Sequence, residues 1–333
     1  MKAIYLSCLI LLAAFVLSAQ TKKPPKPSRP GIKNVQVPFS SLVPSATFDL
    51  GGHPDRLAIT ADAVWVANGE LKAVHRIDPA TNKVVARVDL KAEPCSGLVA
   101  AFGSLWIPLC GDSPALARVD LKTNAITAIL PVGPADPEGG ITASDDSIWL
   151  VTDNSSPLGT LSRIDPQTNG VRQKIKITGG SANPLFHEGS VWITGTSDHG
   201  GWLTEVDART GQLLYACTMR PQPRFLTTGA GAIWILNQGD GTLSRFEIIE
   251  GGMKAVTTIE AGIPGPGGEI CFDGSSVWVS VFGIPLTRID SHTNEVTRQW
   301  TGEGGNSVSC GHGSLWLTGH KQGKLWRIPV PGK

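Results

Sequence analysis

The chain has 333 residues, of which 17% are charged and 41% hydrophobic, and its formal net charge is +1. Six basic residues and no acidic ones precede residue 44, which leaves −5 for residues 44–333. A mildly acidic body argues against a nucleic-acid-binding face, and 39 glycines with 24 prolines suit many short strands joined by tight turns.

The N-terminus reads as a secretory signal. Lys2 supplies the positive start, residues 3–17 are apolar, and Ser18-Ala19 offers small residues for cleavage. The apolar run, roughly 15 residues long, is short of the ~20 that a bilayer-spanning helix needs. Cys8 lies inside the run rather than after it, which disfavours a lipoprotein. The expectation is a signal peptide over 1–19, a secreted or periplasmic product, and no transmembrane segment after cleavage. Residues 20–43 are rich in Pro and Lys and are expected to form a disordered, extended tether.

From there a tryptophan recurs at nearly constant spacing: Trp65, Trp106, Trp149, Trp192, Trp234, Trp278 and Trp316. Each sits in a short phrase of the type AVWVAN, SLWIPL or SVWITG. A period near 42 residues is the length of one four-stranded propeller blade. The first repeat shows the blade in full: DRLAIT, VWVAN, AVHRID and VVARVDL are four short strands with alternating apolar positions, and turn residues separate them. We name them A to D from the channel outward. Strand C ends in RID, RVD, EVD or RFE, and the turn after it repeats as DPATN, DLKTN, DPQTN, DARTG and DSHTN. A feature copied in most repeats is scaffold rather than a single active site. After Trp316 one strand remains, so the seventh blade lacks its outer strand, and SATFDL at 45–50 fits the vacancy. The expected fold over 44–333 is therefore all-β: a seven-bladed propeller of four-stranded antiparallel blades, closed by an N-terminal strand that completes the last blade.

The phrase GSxW(V/I)…RIDPxTNxV resembles the YVTN-type bacterial propeller repeat and, more distantly, the streptogramin (virginiamycin B) lyase repeat. The first likeness implies an exported propeller without an assigned reaction. The second implies catalysis by His and Glu with Mg²⁺ on one face. The WFTE-like phrase that the lyases favour is absent from every blade, and their catalytic residues do not map onto this chain.

Five cysteines follow residue 19. Cys95 and Cys110 are equidistant from the turn at Phe102-Gly103, so they can face each other across a hairpin, and a disulfide is expected there. Cys271 and Cys310 fall on corresponding inner strands of neighbouring blades, where a bridge is also possible. Cys217 is left over. No CxxC occurs, so a structural zinc site is not expected.

Blade topology sorts the remaining candidates. The A–B and C–D turns share one face and are short and repetitive; the D–A and B–C loops share the other and vary, which is where binding residues usually sit. His187, His292 and His312 fall on the repetitive face and His75 within a strand C. His53 and His199, His320 fall in D–A and B–C loops respectively, and ring closure makes His53 and His320 neighbours. Counting nine or ten residues back from each tryptophan reaches the channel mouth, where Arg56, Asn183, Arg224, Glu269 and Asn306 break the repeat; Glu138 lies slightly further out. These groups can bind a polar or carboxylate ligand, or they can neutralise one another around a water-filled channel. Trp202, outside the ladder and beside His199, is a candidate ligand contact.

Two readings follow. The first is an exported binding or interaction module that takes a small-molecule or protein ligand at the D–A/B–C face. The alternative is a metal-assisted lyase or hydrolase on the same face, with His53 or His320 as base and Glu269 or Glu138 holding a divalent ion such as Mg²⁺ or Ca²⁺.

Overall fold

The computed structural model describes residues 29–197, 200–249 and 252–330. The expected signal peptide over 1–19, residues 20–28 of the expected tether and His199 lie outside them. Seven four-stranded antiparallel blades follow one another around a ring, each running A to D from the channel outward. Blade 1 is Pro54–Ile59, Val64–Asn68, Ala73–Asp78 and Lys83–Asp89, and its neighbours repeat the plan. Blade 7 draws its outer strand, Ala46–Asp49, from the N-terminal side of blade 1. That strand pairs with Lys324–Pro329, setting Thr47 opposite Trp326 and Phe48 opposite Leu325. Closure by a borrowed strand leaves blade 7 without an incomplete sheet and ties the two ends of the chain together.

Every ladder tryptophan is on strand B and buried, with exposure between 0 and 4%. The register places it opposite a matching residue of strand C: Trp65 faces Arg76, Trp106 faces Arg118, Trp149 faces Arg163, Trp234 faces Arg245. In six blades that residue is an arginine whose guanidinium lies 4.8–5.6 Å from the indole. Each such contact is worth about 0.5–2 kcal/mol, more when shielded from water. Several of these arginines also reach the C–D turn of the next blade. Arg118 donates to Pro166 O at 2.6 Å and Asn169 Oδ1 at 2.9 Å, Arg163 to Arg209 O at 2.9 Å, and Arg327 to Asn82 Oδ1 at 2.7 Å. The turn is built to receive them. Its Asp carboxylate accepts backbone N–H groups two and three residues on, as Asp120 does from Lys122 and Thr123. Its Asn adopts a left-handed conformation, with φ of 54–62° at Asn82, Asn124, Asn169 and Asn294, and Gly211 takes that place in blade 4. Blade 4 breaks the pattern at strand C as well: Glu205 faces Trp192 and accepts a hydrogen bond from Ser190 Oγ at 2.6 Å.

Both cysteine pairs form disulfides. Cys95–Cys110 joins the inner strand of blade 2 to its strand B, and Cys271–Cys310 stitches the inner strands of blades 6 and 7. Cys217 is free and half-buried.

The structure differs from a free tether over residues 29–43. Gln36–Pro38 runs parallel to Val296–Thr301 as a fifth strand on blade 6. Val37, Phe39 and Leu42 pack against the apolar cluster around Trp300 and Leu317, and Phe39 meets Trp326 edge-on at 5.5 Å. Three of the segment's apolar side chains gain burial here, and the outer edge of blade 6 gains a partner.

Phe48 is 6% exposed and lies 6.0 Å from Trp316, inside the cluster that joins blades 7 and 1. Phe48→Ala is expected to cost about 3–5 kcal/mol of stability in urea unfolding. The neighbouring Val43, 80% exposed, provides the control: Val43→Ala should stay within about 0.5 kcal/mol. Equal effects of the two would show that the borrowed strand does not close the ring.

Candidate functional site

The channel mouth on the D–A/B–C face is shaped by irregular inner strands. In blade 1 the register shifts between Pro54, opposite Asn68, and Leu57, opposite Val66. Blade 5 shifts in the same way between Pro223 and Leu226, and blade 4 between Ser181 and Asn183. A bulge re-aims the side chains within it. Here it frees Asp55-Arg56 and Arg224-Phe225 from strand alternation.

Arg56 is the hub. Its side chain is 4% exposed, yet it meets groups from three other blades. Nη1 donates to Glu269 Oε2 of blade 6 at 2.8 Å and Nη2 to Glu138 Oε2, before blade 3, at 2.9 Å. Its guanidinium lies 4.7 Å from the ring centroid of Phe225 in blade 5. Asp55 Oδ1 is 3.9 Å from Nε. Burial works against the positive charge, but Asp55, Glu269 and Glu138 outweigh it and raise the Arg56 pKa. For Glu269, burial pushes the carboxyl pKa up and Arg56 opposes that rise.

Two further contacts extend the network. Arg224 Nη2 donates to Asp136 Oδ1 at 2.7 Å, linking blade 5 to the loop before blade 3. Ser307 Oγ and Asn306 Nδ2 donate to Asp55 Oδ1 and link blade 7 to blade 1. Arg56 lines a cavity of about 200 Å³ together with Gly139, Gly140, Asn183, Phe225 and Glu269, among others. Asn183 is 4% exposed, and its Nδ2 has no hydrogen-bond partner among the described residues, nor has Nε of Arg56.

His53 and His320 come together at the rim. Their rings stack at 4.6 Å with an interplanar angle of 19°. Glu70 Oε2 lies 3.5 Å from His53 Nε2, and Phe282 presents its ring to His320 at 6.2 Å. Burial lowers the pKa of His320, against the pull of Asp55.

All five residues expected at the mouth, Arg56, Asn183, Arg224, Glu269 and Asn306, lie in or against this network, with Glu138. The metal-binding alternative finds a poor donor set. Glu138 and Glu269 both face Arg56, and no group of three or more His, Cys, Asp or Glu side chains among the described residues is placed to hold a metal ion. Trp202 is half-buried, with Nε1 3.4 Å from Ser181 Oγ and its ring packed against Gly195 of its own blade. That makes it a packing residue of blade 4. Sequence reasoning missed Asp55, Asp136, Phe225, Glu70 and Phe282. The phrase ADPEGG held a signal for Asp136, which sits two residues before Glu138; Phe225 is the residue nine before Trp234.

No family model matches the chain, so the YVTN-type likeness rests on the repeat phrase itself. No curated protein matches it either. Solved structures do. Hydrazine synthase of Kuenenia stuttgartiensis aligns with a TM-score of 0.72 at 13% identity, over 87% of this chain and 98% of that one. A streptogramin B lyase aligns at 0.67 and 16% identity, over 85% and 96%. The β-propeller domain of Cps50 (Swd1) from Myceliophteria thermophila aligns at 0.68 and 12%, over 86% and 99%. At these identities the likeness establishes the propeller fold.

Two predictions arise from the site. Arg56→Leu strands Glu269 without its partner and is expected to cost about 3–5 kcal/mol, whereas the double change Arg56→Leu/Glu269→Leu recovers most of that loss. Urea unfolding of the three proteins reads the difference, and a double variant no more stable than the single one would refute the pairing. The second concerns acid. His320 has a lowered folded pKa, so below pH about 6.5 the unfolded chain takes up a proton that the folded one resists. Its contribution is present above that pH and lost as pH falls. His320→Gln should therefore lose less stability than the natural chain between pH 7.5 and 5.5; parallel losses would refute this.

Proposed function

We propose that this protein is an exported binding module whose ligand sits on the D–A/B–C face over the central channel. The carrying observation is that Arg56, Glu138, Asp136, Arg224 and Glu269 converge on one end of the channel from different blades and occur in no repeating pattern. The opposite face is given to the repeated Arg–turn contacts that join the blades. A regular scaffold with irregular groups at one mouth is the arrangement of a binding site. Two disulfides accord with an oxidising compartment and so support export.

The metal-assisted lyase reading has less support. Its carboxylates are engaged by Arg56, and the streptogramin B lyase is similar in fold alone.

The test uses the protein recovered from the secreted or periplasmic fraction, with intact mass checking for a chain that begins at Gln20. Hydrogen exchange is then compared with and without a small-molecule extract of the same fraction. Protection at 52–56, 69–72, 133–140 and 320–323 is the expected result. Protection confined to the A–B and C–D turns would place the binding face on the wrong side, and a chain retaining residues 1–19 would refute export.

A further inference from the structure

The loop before blade 3 carries two acidic residues, each set against an arginine of another blade. Asp136 holds Arg224, and Glu138 holds Arg56. The loop is folded to present them. Asp136 Oδ1 accepts the N–H of Glu138 at 2.8 Å, while Ser96 donates its hydroxyl to Asp136 O and its N–H to Pro137 O, both at 2.7 Å. Gly139 and Gly140 let the loop press on blade 4. A Cβ at Gly139 would stand 3.1 Å from Ala182 O, and one at Gly140 would stand 3.1 Å from Asn183 Oδ1.

The two carboxylates on Arg56 differ. Glu269 is 24% exposed, and Glu138 is 53% exposed. One arm of a buried guanidinium is thus held from inside, and the other is closed by a residue that reaches in from solvent. Beside it lies the cavity of about 200 Å³, into whose wall are set Asn183, 96% buried with Nδ2 making no hydrogen bond among the described residues, and Arg56, whose Nε faces Asp55 at 3.9 Å without a hydrogen bond. Two buried donors without hydrogen bonds, next to an arginine arm covered by a displaceable carboxylate, describe a site for an acceptor group. An isolated anion added there would meet Glu138 and Glu269. An anion that replaces Glu138 leaves the local charge unchanged and keeps the planar fork of Arg56 filled.

We propose that Arg56 is a recognition group for a small organic carboxylate, and that Glu138 stands in for the ligand's carboxylate in the free protein. The ligand carboxylate takes the Nη2 arm of Arg56 as Glu138 swings outward, Asn183 Nδ2 donates to it, and the rest of the molecule enters the cavity. Glu269 stays on Nη1 and keeps the arginine in place. The inference rests on the binding-module reading and specifies the ligand class for the same channel mouth.

The test is calorimetric titration of the full mature chain with succinate, acetate and sulfate. Glu138→Gln removes the internal competitor. If Glu138 covers Arg56 about nine-tenths of the time, the variant should bind succinate roughly tenfold more tightly than the natural chain. Asn183→Ala in the Glu138→Gln background should weaken that binding, and adding Arg56→Gln should abolish it. Where the Arg56 variant fails to fold, Arg56→Lys, which keeps the charge and loses the fork, replaces it and should bind at least tenfold more weakly. Three outcomes would overturn the proposal: no carboxylate binding in Glu138→Gln, equal affinity in the natural chain and Glu138→Gln, or sulfate binding as well as succinate with the same dependence on Asn183. Exchange protection of the channel mouth by an extract, without carboxylate binding here, would leave the binding-module reading standing and remove this inference alone.

Discussion

The ring depends on a contact made six times: a buried tryptophan on strand B beneath an arginine from strand C of the same blade. The tryptophan fills the space between sheets, and its indole gives the arginine an apolar surface on which to lie flat. Once flat, the guanidinium points past its own sheet. Arg118, Arg163 and Arg327 then donate to the C–D turn of the following blade. One pair thus fixes strand register within a blade and the angle between blades. The Asp of each turn holds the backbone, and the left-handed Asn turns its side chain toward the arriving arginine in blades 1 and 3. The sequence phrases RID and DPxTN are two halves of one joint.

This division of labour leaves the other face free to vary. The blades are joined near the A–B/C–D side, so loops on the opposite side need not repeat to keep the ring closed. Bulges at the start of the inner strands exploit that freedom. They set Arg56 and Arg224 at the channel mouth, whereas residues of a regular strand would alternate strictly between the two faces of the blade. His53 and His320 meet there for a different reason: the ring closes between blades 7 and 1, so the two ends of the propeller supply neighbouring loops.

The tryptophan spacing made the fold legible, because a packing residue at every repeat leaves a period in the sequence. Ring closure was legible too, since a blade one strand short must find that strand elsewhere. The Cys95–Cys110 bridge followed from symmetry about a turn. The candidate site was legible as positions and not as partners. Counting back from Trp65 and Trp278 finds Arg56 and Glu269, but nothing local shows that they pair across 213 residues. Asp136 was hidden because its loop is longer than its counterparts, which puts it outside the count. Residues 29–43 misled because they follow directly on 20–28, where Lys and Pro dominate, and apolar residues such as Val37, Phe39 and Leu42 reveal their purpose only when the exposed edge of blade 6 lies beside them.

The Arg56 cluster bears on function through its energetics. Burying a guanidinium and its carboxylates costs several kcal/mol per ion before their attraction is counted, and well-packed apolar residues in the same space are often as stable or more so. The ring already has seven buried tryptophans, a borrowed closing strand and two disulfides. It gains little structural security from a charged hub at one end of its channel. Structural need also gives no reason for the unpartnered donors of Arg56 and Asn183, since an orphaned buried N–H subtracts from stability. A group maintained at such a cost, with one of its two carboxylates half in solvent, fits recognition better than support. The scaffold holds the arginine charged, oriented and nearly dry, which are the conditions under which a single carboxylate can be distinguished from water.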